Sequence, residues 1–145
     1  EMKKLLENTG IKVIITRSTD ISLDENTRMD IINKSGANIL ISNHLNMGGG
    51  DGCEVYHSVS DKQGKELASN ISKSISDSLK IGNRGAKTRV NSKGDDYYFI
   101  IRRSKMTALI IEHLFMDKES NLRLLKNEYN HTVRKLATAV VDSIS

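Results

Sequence analysis

Cysteine and aromatic residues are scarce in this sequence, and both shortages exclude classes of protein. Cysteine occurs once in 145 residues, at Cys53. A single thiol excludes an internal disulfide and a multi-cysteine zinc site, so a bound metal would need histidine and carboxylate ligands. Aromatic residues make up 4% of the chain, which leaves few side chains on which nucleic-acid bases could stack.

Long apolar runs are also missing. No run approaches the roughly 18 residues that a membrane-spanning helix needs, and the chain shows no charged-then-apolar leader. We therefore expect no membrane insertion. If the protein acts outside a cell, its export must be encoded elsewhere or occur by lysis. No helix-turn-helix, zinc-finger or ribonucleoprotein motif is present, which argues against a nucleic-acid partner. The net charge of +4 still indicates attraction to polyanions, either nucleic acid or an anionic cell envelope.

The order of apolar and amphipathic stretches predicts one α/β domain. A chain of 145 residues has the usual size of a single domain. Short β-branched runs alternate with helical stretches, a rhythm typical of mostly parallel sheets. The predicted strands are Ile11–Thr16, Ile39–Ile41, Gly52–His57 (an antiparallel edge strand), Tyr98–Ile101 and Thr107–Ile111, and the predicted helices cover residues 1–8, 23–34, 63–79 and 122–144. We expect a twisted, mostly parallel sheet flanked by helices on both faces.

Two of the predicted strands end in polar residues. Glu112 follows the apolar run Thr107–Ile111, and His44 lies in the polar group that follows Ile39–Ile41. Side chains at the carboxyl ends of neighbouring parallel strands meet in one crevice, where ligands bind. A histidine beside a carboxylate is typical of metal-assisted hydrolysis, in which imidazole holds zinc and the free carboxylate carries a proton. The alternative is structural, with Glu112 capping its strand or pairing with a lysine or arginine.

The other histidines and the glycine-containing loops give weaker signals. Strand alternation turns His113 to the opposite face from Glu112, His57 lies in a predicted turn, and His131 lies off the apolar seam of the last helix. None of the three is a candidate for the site. We interpret residues 48–52 as a flexible rim of the cleft. The polar stretch Gly82–Asp96 is either a substrate-facing loop or a solvated loop without a role.

Five short motifs in a fixed order resemble one enzyme family. The motifs ITRSTD, TRMDIINKSGA, NILISNHLN, GCEVYHS and ALIIEHLFMDKESN resemble those of the zinc-dependent N-acetylmuramoyl-L-alanine amidases of the amidase type 3 family. The resemblance implies an α/β sheet wrapped by helices and cleavage of the amide between N-acetylmuramic acid and L-alanine in peptidoglycan. It also implies that His44 binds Zn²⁺, that Glu112 is the catalytic glutamate and that Asn46 lies close to the substrate.

The resemblance is incomplete at the metal site. The family holds zinc with two histidines and a glutamate, and the first histidine and the glutamate of that set have no match in this sequence. We expect both ligands upstream of Glu1, so that residues 1–145 are an amidase catalytic domain lacking its opening strand and the start of its first helix. The 145 residues alone are therefore predicted to bind zinc weakly. The alternative is a non-catalytic cell-wall-binding module with a degenerate metal site.

The resemblance also sets expectations for partners and location. Peptidoglycan is the expected partner, and the protein is expected to act outside the cell or in the cell wall, as a monomer. A phage endolysin, a bacterial autolysin and a sporulation enzyme all fit the motifs equally well.

Overall fold

A computed structural model describes residues 1–127 and 129–144 of the chain. Within these residues the sheet has four strands, β1 (Ile39–Asn46), β2 (Cys53–Tyr56), β3 (Asn83–Lys87) and β4 (Thr107–Phe115). The helices are α1 (Met2–Asn8), α2 (Glu25–Lys34), α3 (Lys62–Leu79), α4 (Phe99–Arg102), α5 (Glu119–Asn127) and α6 (Tyr129–Ile144). In the same residues no helix combines the length and the apolar character needed to cross a membrane.

The sheet is mixed, with strand order β1-β4-β2-β3. Strands β1 and β4 are parallel, as are β2 and β3, whereas β2 runs antiparallel to β4. Two of the three pairings are therefore parallel, and the prediction of a mostly parallel sheet is confirmed. The antiparallel direction of β2 is also confirmed, but its predicted edge position is wrong because β3 lies outside it. Val55 in the middle of β2 is accordingly fully buried.

Alternating side chains of β4 supply two hydrophobic cores, one on each face of the sheet. Leu109 and Ile111 pack with residues of α3 and α6 in the first core. Ala108 and Ile110 pack with residues of α2 and α4 in the second. Because both faces are covered, β4 is apolar at nearly every position before Glu112, as expected for a strand buried on both sides. The prediction of helices on both faces is confirmed.

Helix α2 begins at a clear capping signal. The side chain of Asp24 accepts hydrogen bonds from the backbone N–H groups of Asn26 and Thr27, each at 3.0 Å. These bonds, together with one from the Thr27 hydroxyl, keep the pKa of Asp24 below its ordinary value. The cap satisfies donors that have no partner inside the helix. The helix therefore begins at Glu25, two residues after its predicted start.

The predicted strand Ile11–Thr16 is wrong. The segment has no regular secondary structure, and Ile14 and Ile15 are 46% and 52% exposed. A β-branched, alternating pattern favours extended backbone, but a strand forms only when a neighbouring strand completes its hydrogen-bonded ladder. None of the four described strands pairs with this segment.

Three other predicted elements differ from the structure. Residues 82–96 are not one loop, because Asn83–Lys87 pairs with β2 as strand β3. Residues 98–101 form a turn of helix, α4, in which the N–H of Arg102 donates to the carbonyl of Tyr98 at 2.9 Å. A four-residue apolar run cannot distinguish strand from helix by its pattern. In the region of the predicted last helix the described residues form α5 and α6, and residue 128 between them lies outside the described part. The apolar spacing also places Tyr129 on the seam of this helix, and its side chain lies outside the described part.

The Cys53 thiol is expected to be unreactive in the folded protein. Cys53 is fully buried, and burial, assisted by the charges of Glu54 and Glu112, raises its pKa to about 12. Only the thiolate reacts with disulfide reagents at an appreciable rate. At pH 8 the native chain should release almost no thionitrobenzoate from Ellman's reagent, whereas the chain unfolded in guanidinium chloride should release one equivalent. Rapid labelling of the native chain would contradict the buried position of this residue.

Candidate functional site

The sheet brings His44 and Glu112 side by side. The two residues are register partners on the parallel strands β1 and β4. By alternation both lie on the face that carries Leu40, Ala108 and Ile110, the face covered by α2 and α4. The sequence predicts that both residues lie beyond the ends of their strands. In the structure both lie within a strand, because β1 continues to Asn46 and β4 to Phe115. The pairing shifts register between His44 and Asn46 and then continues, with Asn46 opposite Phe115.

His44 is an exposed imidazole with a defined hydrogen bond. Its Nε2 atom lies 2.8 Å from the hydroxyl oxygen of Ser42 on the same face of β1. Partial burial and the positive charge of Arg28 lower the pKa of His44 below 6.5. The ring is therefore neutral at pH 7, the form in which imidazole binds a metal or accepts a proton.

Glu112 is a carboxyl group with one oxygen left unpaired. Its Oε2 atom is buried and has no hydrogen-bond partner among the described residues. Burial, followed by the negative charge of Glu54, raises the pKa of Glu112 above 4.5. A buried acceptor without a partner is costly unless a ligand or a proton satisfies it. The raised pKa and the unpaired oxygen both favour the protonated form of this side chain.

Glu54 is a site residue that the sequence analysis missed. It is the register partner of Glu112 on the antiparallel strand β2, and it is 4% exposed. Its Oε1 atom accepts hydrogen bonds from Asn46 Nδ2 at 2.9 Å and from the Tyr56 hydroxyl at 3.1 Å. Its Oε2 atom pairs with Arg84 Nε at 2.6 Å. The sequence does contain a signal for Glu54. The alternation of GCEVYH places Glu54 and Tyr56 on the opposite face of the strand from the buried Cys53 and Val55.

Asn46 has its side chain held in place by the protein. Its Nδ2 atom donates to Glu54, and its Oδ1 atom accepts from the backbone N–H of Met47 at 2.8 Å. The amide therefore stands close to Glu112 in a fixed orientation, with a second N–H of the Nδ2 group still available. A contact between Asn46 and a substrate stays a prediction.

The glycine-rich segment after β1 is tied to the end of β4. The carboxylate of Asp117 accepts hydrogen bonds from the backbone N–H groups of Gly48 and Gly49, each at 2.8 Å, and these bonds lower the pKa of Asp117. Lys118 and Asp51 form an ion pair between the same two segments. These polar contacts thus join the segment after β1 to the segment after β4.

The other three histidines lie away from this site, as predicted. His113 Nε2 contacts Asn43 Oδ1 at 2.9 Å on the opposite face of the sheet, and burial lowers its pKa to about 4. His57 is buried, with Nδ1 2.8 Å from the carbonyl of Ser58. His131 is exposed on α6.

The residues of the site do not by themselves make a zinc centre. Within residues 1–127 and 129–144, no group of three His, Cys, Asp or Glu side chains is placed to hold a metal ion. A catalytic zinc usually keeps three protein ligands and one open position. His44 offers one imidazole, and the carboxylates of Glu112 and Glu54 lie on β4 and β2. A complete metal site would need ligands in addition to those described.

Comparison with known proteins agrees with the fold. The family model for N-acetylmuramoyl-L-alanine amidase (Amidase_3) matches residues 1–145. The sporulation-specific N-acetylmuramoyl-L-alanine amidase of Bacillus subtilis (strain 168) is 30% identical over 122 residues, which are 83% of this chain and 45% of that protein. The chain thus spans somewhat less than half the length of this curated relative.

Solved structures share the fold over almost the whole chain. Cwp6 from Clostridium difficile matches with a TM-score of 0.88 at 30% identity, over 99% of this chain and 23% of its own. The CwlD amidase from Clostridioides difficile, solved in complex with the GerS lipoprotein, matches with a TM-score of 0.83 at 27% identity, over 99% of this chain and 78% of its own. The fold is therefore that of an α/β amidase domain. The chain belongs to the N-acetylmuramoyl-L-alanine amidase family.

Proposed function

We propose that residues 1–145 form an amidase catalytic domain that hydrolyses the amide between N-acetylmuramic acid and L-alanine in peptidoglycan. Family membership supports the reaction and the substrate. The observation that carries the proposal is the register of His44 with Glu112 on adjacent strands, which puts an imidazole and a carboxyl group on one face of the sheet. The expected place of action is the cell wall, outside the cytoplasm.

Glu112 is the proposed proton carrier of the reaction. Its carboxylate would accept a proton from the attacking water, and its raised pKa favours holding that proton until it passes to the departing amine. A carboxyl group that performs both transfers contributes about 10² to 10⁴-fold in rate. Glu54, neutralised in part by Arg84, keeps a negative charge opposite Glu112 and so favours its protonated form.

Dependence on Zn²⁺ is proposed for a complete domain and not for these residues alone. His44 would supply one ligand, and the other two protein ligands would have to come from outside the described residues, which offer no group of three. Asn46 is proposed to contact the substrate through the free N–H of its amide, next to Glu112.

Product analysis tests the proposed reaction. Purified peptidoglycan digested with the complete protein should yield stem peptides with a new amino terminus on L-alanine, detected by mass spectrometry, while the glycan strands stay uncut. New reducing sugar ends, or a cut within the peptide, would show that the family assignment does not extend to the reaction.

A non-catalytic cell-wall-binding module is the second candidate. The absence of a three-residue metal group from the described part of the chain favours it. Such a module would bind insoluble peptidoglycan and sediment with it, yet the digest would contain no new L-alanine termini after long incubation with added zinc. Appearance of those termini would support the amidase and reject the non-catalytic module.

Zinc titration of the 145-residue chain is expected to show weak binding. The described residues offer no group of three ligands for a catalytic zinc, so calorimetry should detect no tight stoichiometric site. Replacing His44 by alanine should remove what binding remains, whereas replacing the exposed His131 by alanine should not. Tight binding at one zinc per chain would contradict this account of the site.

A further inference from the structure

A cationic and aromatic patch lies on the turn that follows β3. It consists of Arg89, Tyr97 and Tyr98 and is called here the Arg–Tyr patch. The turn is ordered by backbone bonds: the N–H of Tyr97 donates to the carbonyl of Arg89 at 2.8 Å, and Val90 forms a β-bridge with Asp96. Arg102 donates to the carbonyl of Tyr97 at 2.8 Å. The patch is therefore held by the backbone.

Arg89 presents a guanidinium group that no carboxylate neutralises. Its Cζ atom lies 3.9 Å from the centre of the Tyr97 ring and 6.0 Å from that of Tyr98. The residue is exposed, and in residues 1–127 and 129–144 it has no ion-pair partner, whereas Arg84 and Arg123 each pair with a glutamate. Stacking covers the flat face of the guanidinium and leaves N–H donors along its edge, the geometry that binds a carboxylate with two parallel hydrogen bonds.

The patch is connected to the candidate site by a row of side chains. The rings of Tyr98 and Tyr56 are 5.0 Å apart, edge to face. The hydroxyl of Tyr56 donates to Glu54, which is the register partner of Glu112. Lys87 is the register partner of Tyr56, and Arg89 lies two residues further on. From Glu54 to Arg89 the row therefore covers roughly 13 Å along the strands, at about 3.3 Å per residue.

We propose that the Arg–Tyr patch is a subsite for a carboxylate of the stem peptide, located about five residues from the scissile amide. This inference rests on the proposed function, since it assigns the patch to the same substrate. Glu112 on β4 lies two strand spacings, about 10 Å, across the sheet from β3, so its separation from Arg89 is roughly 16 Å. An extended chain spans at most about 3.3 to 3.6 Å per residue, so five residues cover this distance. Tyr97, which is 46% exposed, supplies an open ring beside the cation. The ligand is a short extended peptide with a free carboxylate at its distal end.

Peptide binding tests the subsite without requiring cleavage. Two synthetic pentapeptides that begin with L-alanine, one with a free C-terminal carboxylate and one with a C-terminal amide, are titrated into the ¹⁵N-labelled chain and followed by the backbone NMR signals of residues 88–98. The chain should bind the carboxylate peptide about 10-fold more tightly, because a bidentate, charge-assisted pair is lost with the amide. Arg89→Gln should abolish this preference. Lys93→Gln, which removes an equal charge from the same turn, should keep it.

The outcomes separate this inference from the proposed function. Equal affinity for the two peptides, no measurable binding of either, or an unchanged preference in Arg89→Gln would overturn the subsite even if the complete protein releases L-alanine termini from peptidoglycan. A preference that depends on Arg89, found together with walls that stay uncut, would support the subsite as a peptide-binding surface and reject the proposed hydrolysis.

Discussion

Replacing Glu112 by glutamine is expected to lower the rate of amide cleavage by about 10² to 10⁴-fold. Glutamine has nearly the same shape as glutamate, but it cannot take a proton from water and return it to the departing amine. The rate is measured as release of L-alanine amino termini from purified peptidoglycan by the complete protein. The matched control is Glu119→Gln, which removes an exposed carboxylate paired with Arg123 on α5 and should leave the rate unchanged.

The stability of the Glu112→Gln variant distinguishes a chemical role from a structural one. The pKa of Glu112 is raised in the folded chain, so the stability that its protonated form provides is complete below the unfolded pKa and is lost as the pH rises through the folded value. At pH 7 the free energy of unfolding of the variant should therefore be at least as large as that of the wild type. The difference between the two should disappear in acid. A variant that loses activity because it is unfolded at pH 7 would remove the support for a proton-carrying role.

Replacing Gly52 by alanine is expected to reduce the free energy of unfolding by about 3 to 5 kcal/mol. Gly52 has a φ of +101°, and a Cβ atom there would lie 2.0 Å from the carbonyl oxygen of Gly82. That carbonyl accepts the N–H of Cys53 at 2.8 Å and the hydroxyl of Ser76 at 3.1 Å. The new methyl group would push apart the chain before β2 and the chain before β3. Urea denaturation followed by circular dichroism measures the effect.

Gly94→Ala is the matched control for backbone strain. Gly94 also has a positive φ, +86°, but nothing lies within 4 Å of a Cβ atom built there. Strain alone should cost roughly 1 to 2 kcal/mol. If the two substitutions cost the same, the close contact between Gly52 and Gly82 does not hold the β2–β3 pair together.

The sequence predicts best the elements that are long and have a regular pattern of apolar residues. Helix α3 shows apolar residues every three or four positions over eighteen residues, and β4 opens with the run Thr107–Ile111, which ends at Glu112. Both patterns reflect burial by the surrounding elements. The type of each element can therefore be predicted without knowing which elements pack against it. The pairing of His44 with Glu112 follows from the same logic, because both are placed by strands that the pattern locates.

The remaining features depend on partners that are distant in sequence. Glu54 becomes a site residue because β2 pairs with β4 and because Arg84, thirty positions later, neutralises it. Its carboxylate is indistinguishable from a solvated one until that pairing is known. The segment Ile11–Thr16 shows the opposite case, in which a strong strand pattern has no described strand to pair with. In both cases the deciding interaction is tertiary, and local propensity is a weak guide.

The central claim is that Glu112 is a desolvated carboxyl group facing the buried charge of Glu54, and its titration tests this most directly. Carbon-detected NMR of the side-chain carboxyl should give Glu112 a midpoint above 4.5 in the wild type. In Glu54→Gln the midpoint should fall toward the ordinary value, because one of its two causes is removed. A Glu112 that titrates at or below 4.5 and does not respond to Glu54→Gln would contradict the account.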